Sequence, residues 1–304
     1  IVGDAWDRAF NMDYIDHSGS NLNWTVEAGA GNDTVVGGNG NDRIRGENGR
    51  DILYGGPGDD HIDGNGHYDE IYGGAGNDRL NGDEHGDHVE GGDGDDIIHG
   101  GDCEDRLYGD AGNDEIYGDD GDDVIVGGAG DDVIDGGFDN DVLVGGDGND
   151  TIKGGVTVEY DLNLGFGGTR HVVLNGGRDK ITGGAGNDYL DGQDEDDEVY
   201  GDDGNDEMYG GTGNDKMAGG RDNDLIYAGA GDDNANGDAG NDAVYGEAGA
   251  DKLWGGEGDD VVDGGSGDDI IYGGSGNDKL YAGAGNDTVI GNSGDDELIA
   301  ISGN

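Results

Sequence analysis

Aspartate recurs at every ninth residue in two long runs. The first holds Asp33, Asp42, Asp51, Asp60, Asp69, Asp78, Asp87, Asp96, Asp105, Asp114, Asp123, Asp132, Asp141 and Asp150. The second holds Asp179, Asp188, Asp197, Asp206, Asp215, Asp224, Asp233, Asp242, Asp251, Asp260, Asp269, Asp278, Asp287 and Asp296. Carboxylates are hard oxygen ligands, and a hard divalent cation is what such a row binds. The composition calls for that partner. The chain has 304 residues, 73 Asp and Glu against 14 Lys and Arg, a formal net charge of −59 and only 31% hydrophobic residues. Without a cation this balance belongs to a disordered chain. It excludes phosphate-backbone binding as the main role and attraction to an anionic membrane surface.

Other chemistry is missing. No His-Glu-x-x-His, Gly-x-x-x-x-Gly-Lys-Ser/Thr, Cys-x-x-Cys or Gly-x-Ser-x-Gly motif occurs. Aspartates that hold metal cannot double as free general acids, so no catalytic constellation emerges and these residues are not expected to form an enzyme. The single cysteine, Cys103, rules out an internal disulfide. No apolar run reaches the length of a membrane-spanning helix. The chain opens Ile1-Val2-Gly3-Asp4 without a leader pattern and is expected to be a piece of a longer one.

The aspartates mark an internal repeat. Nonamers run in phase from Ala28 to Lys153 and again from Leu174 to Ile299, each run being 126 residues and therefore 14 copies. Gly37-Gly38-Asn39-Gly40-Asn41-Asp42-Arg43-Ile44-Arg45 is a typical one. Asp fills position 6 in all 28. Position 8 is Val, Ile, Leu or Met in 27, the exception being Ala235, and position 4 is Gly in 22. The 74 glycines and one proline do not suit collagen, which needs strict triplets rich in proline.

This pattern resembles the RTX family of calcium-binding nonapeptides, Gly-Gly-x-Gly-x-Asp-x-U-x, with U a large apolar residue. The resemblance covers 252 of the 304 residues. It implies an all-β fold, a right-handed parallel β-roll (a β-helix solenoid) with two nonapeptide repeats per coil turn. In that family the first six residues form a turn and the last three a short strand with U pointing inward. The residue types agree. Glycine permits positive φ in the turn, one inward side chain per short strand fits the period of two, and parallel crossovers are right-handed.

On such a roll Asp33 and Asp51 lie on one edge in successive turns, and Asp42 and Asp60 on the other. Two oxygens across one calcium are about 4.6–5.2 Å apart, close to a turn spacing of about 4.8 Å. Magnesium, with shorter bonds and strict octahedral geometry, fits less well. The family implies that carbonyls of the glycine-rich segment complete the shell. Seven stacked loops leave six gaps per edge, so two edges in each of two runs give about two dozen Ca2+ ions, with the position-6 aspartates as ligands.

Weaker signals accompany the aspartates. His67, His85 and Cys103 replace the position-4 glycine at 18-residue spacing, hence on one edge. Two turns would put His67 and Cys103 about 9.6 Å apart, too far for one zinc, so loop variation is expected. Asp139, Glu195 and Asp222 break the same position and are expected to mark altered calcium sites. Position 9 holds ten tyrosines and Trp254, expected to point outward. They read as cross-strand aromatic packing or as a glycan-binding or adhesive face. No threonine ladder of the ice-binding kind is present.

The expected organisation is a capping segment at 1–27 carrying Trp6, Phe10, Tyr14, Leu22 and Trp24, a first β-roll block at 28–153, and a β-hairpin insertion at 154–173. A second block at 174–299 and a tail at 300–304 follow. The family implies export from a bacterium, often through a type I secretion system, with folding triggered by extracellular calcium. The leading expectation is a secreted or cell-surface scaffold or adhesin segment. The alternative is the calcium-dependent module of a larger secreted enzyme or toxin, and a third reading is a binding module using the tyrosine faces. Partners would be calcium ions, the rest of a longer chain and a candidate glycan or surface ligand, with no nucleic acid and no membrane span.

Overall fold

The computed structural model describes residues 5–8, 14–155, 158–163, 169–174 and 177–299. The side chain of Trp6, Phe10, the hairpin turn expected at 165–168 and the tail at 300–304 lie outside the described residues. All regular structure among the described residues is β, and no helix is long and apolar enough to cross a membrane.

Each nonamer contributes one strand, and outside the insertion after residue 153 each strand pairs in parallel with the strand 18 residues on. Thus Arg43–Asn48 pairs with His61–Gly66, placing Ile44 opposite Ile62, while Ile52–Pro57 pairs with Glu70–Ala75, placing Leu53 opposite Ile71. Successive nonamers alternate between two sheets, so two nonamers make one coil turn. The chain divides into two units, Ile1–Gly137 with Asp141–Asp147, and Phe138–Asn140 with Gly148–Asn304. In unit 1 one sheet runs from Trp24–Ala30 to Glu115–Asp120 and the other from Thr34–Val36 to Val142–Asp147. In unit 2 they run from Thr151–Gly155 to Glu297–Ile299 and from Lys180–Ala185 to Thr288–Ser293. Both units are parallel β-solenoids.

The strands are longer than the three residues expected. Most span six, positions 7 to 9 of one nonamer and 1 to 3 of the next, as in Arg106–Ala111. The glycine-rich half is extended too and continues the ladder, with Gly92 opposite Asp110 and Asp93 opposite Ala111. Only positions 4 to 6 turn. In most repeats two residues carry positive φ, for example Gly92 at 113° and Gly94 at 131°. At position 2 the value falls to 76° for Glu47 and 77° for Asn65, the left-handed region that Asn and Asp tolerate best.

The roll continues upstream of residue 28. Trp24–Ala30 is a full strand with Val26 completely buried, and the Trp24 N–H donates to Asp42 Oδ1 at 2.7 Å, where the repeat would have an Asp. His17 stacks on Trp24 with ring centroids 3.6 Å apart. In unit 2, Thr151–Gly155 pairs with Tyr189–Gln193 at a separation of 38 rather than 18. The added length holds an antiparallel pair, Val158–Asn163 with Thr169–Leu174.

The core is narrow because each coil turn supplies one large inward side chain per sheet. Val35, Ile44, Leu53, Ile62 and their successors to Leu280 are buried almost without exception. Leu298, at position 8 of the last nonamer, is 53% exposed. With Ca2+ present, Ile116→Ala should cost about 2–5 kcal/mol and Leu298→Ala less than about 0.5 kcal/mol, measured by denaturant unfolding.

Candidate metal centre

Among the described residues, the position-6 aspartates up to Asp278 are the most deeply buried polar side chains. Asp42, Asp69, Asp96, Asp197 and Asp251 keep no more than 3% of their surface. Each sits at a turn, its side chain folded back over the strand that opens its own nonamer. A Cβ on Gly82 would come within 2.5 Å of both Asp87 Oδ2 and the Gly100 carbonyl oxygen. Glycine at position 1 therefore leaves the room that the carboxylate occupies.

The two carboxylate oxygens are treated differently. Oδ1 accepts the backbone N–H of the Asp one turn earlier. Asp60 donates to Asp78 at 2.7 Å, Asp78 to Asp96 at 2.7 Å and Asp96 to Asp114 at 2.8 Å. The same chain of bonds runs along each edge of unit 2, as from Asp206 to Asp224 to Asp242 at 2.9 and 2.8 Å. Oδ2 is buried and accepts no hydrogen bond at every ninth residue from Asp42 to Asp114 and from Asp188 to Asp278. Asp287 and Asp296, in the last turn, are half-buried, and each receives an N–H from the turn before.

Burial raises the carboxyl pKa of the position-6 aspartates from Asp42 to Asp114 and from Asp188 to Asp278. Burial is the main cause, offset by the backbone N–H donated to each group and reinforced by like charges one turn above and below. Asp96 is pushed up to about 7, Asp69 and Asp105 to about 8, and Asp197 to about 9. Asp63 shows the opposite outcome. It is also buried, yet Asn81, His61 and Arg45 more than offset the burial, so its pKa falls below the usual carboxylate range. Its partners are Asn81 Nδ2 at 2.8 Å, His61 Nε2 at 3.0 Å and Arg45 Nε at 3.2 Å. A buried carboxylate with partners is stable as an anion, and Oδ2 lacks such a partner from Asp42 to Asp114 and from Asp188 to Asp278.

A hard cation suits those columns, since the donors in reach are carboxylate and carbonyl oxygens. Among the described residues no three His, Cys, Asp or Glu side chains converge on a point. One carboxylate per loop cannot fill six to eight coordination positions, so main-chain carbonyls must contribute.

A second ladder was not anticipated from the sequence. At position 5, Asn or Asp accepts the N–H of the residue one turn later. Asn205 donates to Asn187 Oδ1 at 2.8 Å, Asn223 to Asn205 at 3.0 Å and Asn241 to Asn223 at 2.8 Å. This ladder is exposed and runs opposite to the buried one. The signal was present, because position 5 is Asn or Asp in most copies. On one edge of unit 1 it lapses at Arg50, Tyr68, Gly86 and Glu104. The same edge carries His67, His85 and Cys103, with φ of 77°, 77° and 81° against 143° at Gly49. The His67 and His85 rings stack with centroids 5.3 Å apart, and Cys103 is exposed. Asp139, Glu195 and Asp222 adopt the same left-handed conformation, at 73°, 79° and 71°.

The family described as RTX calcium-binding nonapeptide repeat matches at residues 27–62, 54–85, 81–116, 117–152, 174–208, 209–244, 236–271 and 263–298. No curated protein matches the chain.

The raised pKa values fix a pH dependence. An unfolded Asp titrates near 3.9, whereas burial in the folded chain without metal pushes these groups up, Asp78 to about 6 and Asp197 to about 9. Their contribution to metal-free folding is fully present below the unfolded value and is lost as pH rises through the folded values. Protein dialysed free of calcium should therefore gain β-structure by circular dichroism on moving from pH 8 to pH 5. Calcium affinity should fall over the same range, because protons compete for Oδ2. A calcium-free spectrum that does not change between pH 8 and pH 5 would contradict the assignment of these carboxyls.

Proposed function

Because the chain belongs to the RTX calcium-binding nonapeptide repeat family, we propose that its position-6 aspartates hold Ca2+ between successive turns and that the secreted chain folds on meeting extracellular calcium. The observation that carries this reading is the column of buried Oδ2 atoms without hydrogen-bond partners. Bound calcium would supply the positive charge that lets these oxygens stay ionised out of water. The chain's own residues do the rest. Position-1 glycines make room for the carboxylates, Oδ1 bonds tie consecutive loops, and the position-5 ladder ties them again from outside.

The role that follows is non-catalytic. The roll would act as a calcium-hardened scaffold or adhesin segment at or beyond the cell surface, with about two dozen ions when every gap is filled. Family habit supports secretion, and the acidic surface suits a compartment where calcium is plentiful. Affinities on the order of 10⁻⁴–10⁻³ M are enough there.

An internal aspartate such as Asp96 serves the gaps on both sides of it, whereas Asp296 lies in the last described turn. In a nearest-neighbour stack an internal defect also interrupts propagation. Circular dichroism and hydrodynamic radius followed through a calcium titration should show cooperative compaction. Asp96→Ala should move the midpoint to higher calcium by more than Asp296→Ala does, and magnesium should not substitute. A chain already compact and β-rich in excess chelator at pH 8 would refute calcium-coupled folding.

A further inference from the structure

The outward face of unit 2 has a gap in one of its aromatic rows. On the sheet from Lys180–Ala185 to Thr288–Ser293, the register places Tyr200, Ala218, Asn236, Trp254 and Tyr272 in one column. Two small or polar residues thus separate Tyr200 from Trp254. A notch of about 500 Å³ lies over Ala218 and Asn236, walled by Trp254 and edged by Lys216 and Asn234. Ligand clefts commonly measure about 300–1,000 Å³. Ala235, the position-8 residue that is not Val, Ile, Leu or Met, also lines it.

Trp254 stacks on Tyr272 through one face, with centroids 5.7 Å apart and planes at 7°. No ring among the described residues stacks on its other face, which borders the notch. Asn236 does not fill the space, since its side-chain amide is bonded to Asp238. At the far end Lys216 Nζ donates to the Tyr200 hydroxyl at 2.8 Å and lies 5.4 Å from the ring centre. On the other sheet of unit 2 the column that follows the tyrosine row continues with the carboxylate of Asp263 rather than with small or amide side chains. Tyr209, Tyr227 and Tyr245 stack at 5.1 Å and 13°, each ring covering the next.

We propose that this notch binds a neutral oligosaccharide, with a pyranose ring stacked on the open face of Trp254. The flat C–H face of a pyranose carries the partial positive charge that the negative face of an indole attracts. Its hydroxyls meet donors and acceptors at Lys216 and Asn234. From Tyr200 to Trp254 is three coil turns, about 14 Å, so a short sugar chain can lie along the column. Charge selects neutrality. A chain of −59 repels polyanions at a distance, while Lys216 and Lys252, on either side of Asn234 in the register, disfavour a cation at the notch.

The test is calorimetric titration of the calcium-loaded full chain with hexamers of β-1,4-linked glucose, mannose and N-acetylglucosamine, with a galacturonate hexamer as the anionic control. At least one neutral hexamer should bind, and Trp254→Ala should weaken it by about tenfold or more, as loss of a central aromatic anchor does. Asn236→Tyr extends the aromatic row into the notch and so keeps the roll intact. It should abolish sugar binding while the calcium-dependent circular dichroism stays as in the parent. The proposal is overturned if no neutral hexamer binds, if binding survives Asn236→Tyr, or if only the galacturonate binds.

Discussion

A carboxylate taken out of water with one oxygen unpartnered cannot remain charged unless a cation stands beside it. This chain repeats that situation along both edges from Asp42 to Asp114 and from Asp188 to Asp278, and the rest of the structure is arranged around it. The buried oxygens lie in columns, so each charge also feels those above and below. Compare Asp63, whose own residues supply an amide, an imidazole and a guanidinium, and whose pKa is lowered rather than raised. The difference between Asp63 and Asp69 is one of partners, since both are buried.

The backbone is shaped to allow this stacking. Every nonamer gives only one large side chain to the core, too little to hold a chain of this charge together without help. Cohesion comes instead from main-chain ladders through all six strand residues and from two side-chain ladders at positions 5 and 6. Those ladders run in opposite directions, so each loop is held both to the turn before and to the turn after. Glycine at position 1 serves the carboxylate, and positive φ at positions 2 and 4 lets consecutive turns approach backbone to backbone.

Regularity leaves room for variation at defined places. The outward positions 7 and 9 are free of the constraints that fix positions 1, 6 and 8, so aromatic rows, the Arg43–Arg45–Asp63 cluster and the notch beside Trp254 can be placed there without disturbing the stack. The loops at 67–69, 85–87 and 103–105 depart from the consensus at positions 4 and 5, yet Asp69, Asp87 and Asp105 remain buried in their column. The pattern tolerates a changed turn more readily than a changed carboxylate. Trp24 fills position 6 only in the degenerate turn upstream of the first run.

The resemblance to the RTX repeats implied the parallel coil of two nonamers per turn. The sequence by itself determined the period, the apolar column from Val35 to Leu280 and the row of acidic residues. Those features are local and repeat every nine or eighteen residues, so spacing alone exposes them. The six-residue strands were hidden because glycine has no side chain to signal a strand, and hydrogen bonding to a neighbouring turn decides its conformation. The upstream turn was hidden because Trp24 replaces the expected aspartate, though its N–H makes the same bond to Asp42. The position-5 ladder was legible as composition but not as function, since its direction depends on which turn each amide faces. Only the tertiary structure separated the two oxygens of the aspartates from Asp42 to Asp114 and from Asp188 to Asp278, one bonded and one not. It also showed Tyr209, Tyr227 and Tyr245 stacked in one row and Trp254 stacked on Tyr272 beside an open notch, because burial and stacking depend on the neighbour 18 residues away.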